Sequence, residues 1–194
     1  MKLAVLMVVH GSPHGLARVV DKLNHSNVTF FVHVDAKSDI DPFKRELASA
    51  DNVRFLTGKE RHEVNWGGRS QVDAIISLAN VAYSAQDHFD RFLSLSGQDY
   101  PVCTPEALLS TLSRSKVELV RIDRFITPQN DNKLTPLSLH DIRWLNPRNY
   151  VGLARSQRKY ALGALRQLRV RRFPKNLRVV HGSAFHCITR RAVA

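Results

Sequence analysis

Over the first 122 residues, short apolar runs of strand character alternate with stretches whose apolar residues recur at helical spacing. That rhythm constrains the chain more than any other feature. Residues 2–9 read as a buried strand. In "GLARVVDKL", Leu16, Val19, Val20 and Leu23 fall at i, i+3, i+4 and i+7, the stripe of an amphipathic helix. "VTFFVHVD" (28–35) is β-branched and aromatic, hence a second strand. Asp41-Pro42 reads as an N-cap followed by proline, opening a short helix with Phe43 and Leu47 inward. "NVRFL" is a third strand, and a helix over 70–83 places Val72, Ile75, Ile76, Ala79 and Tyr83 on one side. "FDRFLSLS" is a fourth strand, Thr104-Pro105 caps the next helix, and "VELVRI" (117–122) is a fifth strand. Alternation of this kind predicts an α/β fold whose central sheet is mostly parallel and flanked by helices.

Beyond residue 126 the rhythm fails. Residues 127–178 read as a loop followed by a basic helix or exposed arm, and order returns over 179–194 as a strand and the start of a helix. The expected organisation is therefore an α/β half (1–126), a loop and basic arm (127–178), and the opening of a further half (179–194) in what reads as part of a longer protein.

Charge follows the same division. Residues 142–194 carry thirteen Lys or Arg and no Asp or Glu, which leaves 16 basic and 17 acidic side chains in the first 141 residues. A basic last quarter suits an anionic partner such as a nucleotide diphosphate, an acidic membrane surface or a nucleic acid. Acidic residues further along a longer chain would balance it equally well. Nucleic acid is the alternative from a different functional class, but no aromatic-rich RNA motif, helix-turn-helix or zinc signature accompanies the charge. The apolar run at residues 3–9 is only seven residues long and lacks a cleavage site, so it reads as a strand and not a signal peptide. Cys103 and Cys187 have no metal-ligand spacing and suit a reducing compartment.

Candidate site residues sit where strands end, the edge at which open α/β sheets bind ligands. "VVHGSPHG" (8–15) joins the first strand to the first helix without a dinucleotide fingerprint or a P-loop. Its alternatives are a ligand-contacting turn around Val9 and His10, or a plain turn. Asp35 closes the second strand with Lys37 two residues on. Its carboxylate suits a ribose hydroxyl or a base N–H, or equally a local backbone cap or a pair with Lys37. Asp39 and Asp41 form a literal Asp-x-Asp, but they precede a helix, so Asp41 reads as a cap and no metal site is expected. In "HEVNWGGRS", Trp66 offers a flat ring for stacking or a plug for the core, and Gly67 and Gly68 permit close backbone approach. "FLSLSGQDYP" carries Gly97 and Asp99 just past the fourth strand. His10, His33, His181 and His186 fall near strand ends, where histidines are usually packed or hydrogen-bonded.

"VVHGSPHGLARVV", "FVHVDAKSD", "VNWGGRSQVDA", "FLSLSGQDYP" and "HGSAFHCITRRAV" occur in an order and spacing that resembles the core-2/I-branching β-1,6-N-acetylglucosaminyltransferase family, glycosyltransferase family 14, which also contains the peptide O-xylosyltransferases. The resemblance covers most of 3–122 and then 179–194. It implies a GT-A-like fold and inverting transfer of GlcNAc or xylose from a UDP-sugar to the hydroxyl of a glycan or other acceptor, with no metal or other cofactor. By resemblance, Val9 and His10 lie along the uridine, Asp35 bonds the uracil or ribose, and Trp66 lies near the base. Asp99, in the family's SGxD(F/Y)P motif, organises the donor-sugar and acceptor pocket together with Gly67, Gly68 and Gly97. The family's general base and diphosphate-binding basic residues are expected beyond Ala194, so no catalytic residue is assigned. With Met1 leading directly into the first strand, a bacterial-type cytoplasmic enzyme of cell-surface glycan synthesis is expected. Its basic arm has a possible peripheral contact with the inner face of the membrane, and no nucleic-acid partner is expected.

Overall fold

The computed structural model describes residues 1–130, 134, 140–142, 144–146, 151–166, 172–173 and 176–194. The strands are β1 (Leu3–Val9), β2 (Val28–Val34), β3 (Val53–Phe55), β4 (Arg91–Ser96), β5 (Leu119–Ile126) and β6 (Val179–Thr189). The helices are α1 (Pro13–Lys22), α2 (Asp41–Glu46), α3 (Arg69–Ser84), α4 (Pro105–Arg114), α5 (Gly152–Arg166) and α6 (Arg190–Val193), with a 3-10 turn at Gly58–Glu60.

The six strands form one sheet in the order β3-β2-β1-β4-β6-β5. β1 pairs in parallel with β2 and β4, β2 in parallel with β3, and β6 runs antiparallel to β4. This is the mostly parallel, helix-flanked α/β sheet that the alternation predicts. The unbroken apolar run of β1 follows from burial on both faces. Leu3, Val5, Met7 and Val9 pack with Leu16, Val19 and Val20 of α1, Phe43 of α2, and Leu109 and Leu112 of α4. Ala4 and Leu6 point to the opposite face, where Leu78 and Ala82 of α3 meet Phe31, Phe89 and Phe92. The rings of Phe31 and Phe89 cross edge-on at 5.5 Å, an arrangement worth about 1 kcal/mol beyond the area it buries.

Helix starts are mostly local. Ser12 accepts from the Gly15 amide with Pro13 following, and Thr104 accepts from the Ala107 amide with Pro105 following, the second as expected. Helix α2 differs from the reading. Asp41 is its first residue rather than its cap, and the side chain that bonds the Asp41 amide is Asp39, at 3.0 Å. Helix α3 turns a different stripe inward. Ala74, Leu78 and Ala82 are buried, whereas Val72 and Ile76 are more than half exposed. Apolar residues lie nearly all round this helix, so spacing alone does not choose the buried face. Strand β5 lies at Leu119–Ile126 rather than 117–122, because the alternation continues through Arg121 and Asp123. It is exposed along nearly its whole length. The basic arm contains α5, exposed apart from Leu162 among its described side chains. Among the described residues no helix is long and apolar enough to cross a membrane.

Contacts divide the chain into two units. The first comprises Met1–Glu63, Asp73–Arg121 and Ala184–Ala194, and the second comprises Val64–Val72 and Ile122–Ser183.

Candidate functional site

In the first unit, β2 and β4 flank β1 and all three run in the same direction. Their carboxyl ends therefore stand side by side, spanning about 10 Å at ordinary strand spacing. The chain places β2 and β3 on one side of β1 and β4 on the other, so the order reverses between β1 and β4. That reversal point is where open parallel sheets leave a crevice for ligands.

Five of the expected residues line these ends. Val9, the last residue of β1, is buried, and His10 beyond it is exposed. The Asp35 amide donates to the Val9 carbonyl at 2.9 Å, which ties the end of β2 to the end of β1. On the other flank Gly97 lies against Val9, where an added β-carbon would stand 3.1 Å from Cγ1. One added to Gly15, in the first turn of α1, would stand 3.6 Å from the Gly97 carbonyl. The small residue at 97 thus lets the β4 turn approach the β1 end closely, whereas a β-carbon at 15 would make only ordinary contact with that turn.

The carboxylates are not idle. Asp35 is 9% exposed, accepts from the Lys37 amide through Oδ1 at 3.0 Å, and has its Oδ2 at 3.6 Å from Lys37 Nζ. Both local roles weighed for it are therefore present, and a carboxylate retains further lone pairs for a ligand. Asp99 folds back on the β4 end: its Oδ2 accepts from the Ser96 amide at 2.5 Å, closing the turn that carries Gly97 and Gln98. Asp39 and Asp41 lie at the head of α2, where Asp39 Oδ1 accepts from the Asp41 amide.

A second layer holds this rim, and its partners are far apart in sequence. Arg61 donates to three backbone carbonyls: Nε to Val34 at 3.0 Å, and Nη2 to Asp35 at 3.0 Å and Ser38 at 2.8 Å. The His62 carbonyl accepts from the Ala36 amide at 3.0 Å, while the His62 amide donates to His33 Nε2 at 2.8 Å. The two imidazoles stack at 5.8 Å, and His62 Nε2 meets Ser77 Oγ at 2.8 Å. His33 is fully buried, and that burial holds its pKa below the ordinary histidine value. Because its Nε2 accepts a hydrogen bond, the ring is the neutral tautomer protonated at Nδ1, an atom with no hydrogen-bond partner among the described residues. The reading of strand-end histidines as packed or bonded holds for His33, for His181, 3.5 Å from Asp123, and for His186, which meets the Ala184 carbonyl at 2.9 Å.

Trp66, Gly67 and Gly68 belong to the second unit. They form a tight turn in which the Gly68 amide donates to the Asn65 carbonyl at 2.8 Å and Gly67 takes a φ of 79°. Glycine is the residue for that third position of the turn. Trp66 is 57% exposed and so does not plug a core. Gly68 has a separate reason to be small, because a β-carbon there would lie 2.1 Å from Asp141 Oδ1. Asp141 accepts from the Arg69 amide at 2.6 Å, the Ser70 amide at 3.2 Å and Ser70 Oγ at 2.5 Å, so it caps α3. Partial burial would raise its pKa, but the hydrogen bonds from Ser70 and Arg69 outweigh that and keep the carboxyl below its ordinary value. Neither Asp141 nor Arg61 is announced by its neighbours in sequence, since each acts on a distant segment.

The family model described as Core-2/I-Branching enzyme matches residues 3–194. The chain belongs to this family. Among curated proteins, this Core-2/I-branching family member is 30% identical over 121 residues to xylosyltransferase 1 of Rattus norvegicus, which covers 59% of this chain and 14% of that protein. It is 32% identical over 122 residues to xylosyltransferase 2 of Homo sapiens, covering 60% and 14% respectively. The matches thus span about one-seventh of the length of these relatives. Among solved structures, it resembles a 4-diphosphocytidyl-2C-methyl-D-erythritol synthase from Anaerococcus prevotii, with a TM-score of 0.46 and 11% identity over 98% of this chain and 71% of that one. A likeness that distant carries no inference about function.

Proposed function

We propose that this chain is the donor-binding part of a glycosyltransferase that moves a sugar, GlcNAc or xylose, from a UDP-sugar to an acceptor hydroxyl. The observation that carries the reading is the reversal point between β1 and β4, rimmed by His10, Asp35 and Gly97 in a member of this family. Uracil presents an N–H and ribose presents hydroxyls, and a shielded carboxylate such as Asp35 accepts from either. The exposed His10 lies along the uridine, and the Asp99 turn shapes the sugar end. The matched xylosyltransferases favour xylose as one of the two donors.

The reaction is a single displacement with inversion. The acceptor oxygen bonds to the anomeric carbon as the bond from that carbon to the diphosphate oxygen breaks, and the acceptor proton passes to a general base. The electron pair leaves with UDP, whose growing charge is met by basic side chains and not by a divalent cation. The acceptor is a glycan or protein hydroxyl.

Thermal unfolding with UDP in the presence of EDTA tests the reading. UDP at a hundred times its Kd adds about 2.7 kcal/mol, which raises Tm by roughly 5–10 °C for a chain of this size. Absence of any shift at millimolar UDP contradicts donor binding. A shift that appears only with Mn²⁺ contradicts metal independence.

A further inference from the structure

We infer that Arg61 is a positioning residue for donor binding: its guanidinium fixes the turn that presents Asp35. This rests on the donor-binding reading above. Strand β2 ends at Val34, and the chain reverses through Asp35, Ala36, Lys37 and Ser38. Oxygens of this reversal at Val34, Asp35 and Ser38 point to one place, where the planar fork of Arg61 meets all three within 3.0 Å. The next residue, His62, ties the Ala36 amide and the His33 ring to the same strap. Asp35 Oδ1 takes its orientation from the Lys37 amide, which lies within the held turn. Releasing the turn therefore frees the carboxylate.

The groups that Arg61 holds belong to the rim and not to the core. Strand β2 is anchored independently by its ladders to β1 and β3 and by packing on both faces. Losing Arg61 consequently loosens the rim more than it unfolds the chain. A lysine presents its three donors from one compact nitrogen and lacks the planar fork whose Nε and Nη2 reach Val34 on one side and Asp35 and Ser38 on the other.

The test compares the full 194-residue chain with Arg61→Lys and Arg61→Ala, using calorimetric titration of UDP, exchange of the Lys37 and Ser38 amides, and Tm. In both variants the two amides exchange faster, and UDP binds about tenfold more weakly, the scale of a lost charged hydrogen bond. Arg61→Lys keeps its Tm near that of the unaltered chain, which separates positioning from folding and carries the test if Arg61→Ala fails to fold. Unchanged UDP affinity in Arg61→Lys, whether or not the amides exchange faster, overturns the inference alone. Failure of the unaltered chain to bind UDP overturns the donor reading, and the role of Arg61 with it.

Discussion

Gly68 and Asp141 share a space that admits only one side chain: a β-carbon on the glycine would stand 2.1 Å from the aspartate Oδ1. The carboxylate in that space bonds the first amides of α3 and the Ser70 hydroxyl, so the glycine is the condition for the cap.

Gly68→Ala therefore displaces Asp141 and costs about 1–2 kcal/mol, the value of a lost helix cap. Asp141→Ala costs a similar amount. The double variant costs little more than Asp141→Ala alone, because the clash is gone once the carboxylate is removed. Urea denaturation of the four proteins measures this, and additive losses would contradict the shared-space account.

His33 makes stability depend on pH. Its environment contains His62 stacked on it, Asp35 two residues on and the Arg61 guanidinium, and burial is the largest influence, holding the folded-state pKa down. Between the folded and unfolded values the unfolded chain binds more protons, so the contribution is complete above the unfolded value near 6.5. It is lost as pH falls from there toward the depressed folded value, at no more than about 1.4 kcal/mol per pH unit. His33→Gln keeps an acceptor for the His62 amide and removes the titration. Tm measured from pH 8 to pH 5 should fall less steeply in this variant, and equal slopes would show that other groups control the acid limb.

The two thiols should differ in reactivity. Cys187 is 3% exposed and burial raises its pKa, whereas Cys103 is partly exposed on the approach to α4. Only the thiolate attacks a disulfide reagent. One thiol per chain should therefore react promptly with a chromogenic disulfide, and the second only as fast as the chain opens. Prompt reaction of both would place Cys187 at the surface.

Much of this fold is legible locally. The unbroken run of β1, the stripe of Leu16, Val19 and Val20, and the Thr104-Pro105 cap each report one element's burial or one turn's hydrogen bond, and each appears as read. The α3 face was not legible, because Val72 and Ile76 are as apolar as the Leu78 that is buried. At α2 the N-cap is Ile40, which offers no side-chain bond, and Asp41 is the first helical residue, its amide held by Asp39. Two acids and an apolar residue side by side give no local signal of where the helix starts. The positions of Val9, Asp35 and Gly97 at strand ends follow from strand periodicity, but their juxtaposition requires the sheet order, which no local pattern specifies. Arg61 reaches 23 to 27 residues back along the chain and Asp141 reaches 71 or 72, so neither carries a sequence signal of its role.

Amide chemical-shift mapping with UDP tests the central claim most directly, because it locates the ligand as well as detecting it. Titrated in EDTA, UDP should shift the amides of His10, Gly11, Asp35, Ala36 and Gly97 together, with one saturation curve, and leave the α2 amides around Asp41 and Phe43 unmoved. A saturable response centred elsewhere, or no response at millimolar UDP, would contradict a donor site at the β1–β4 reversal.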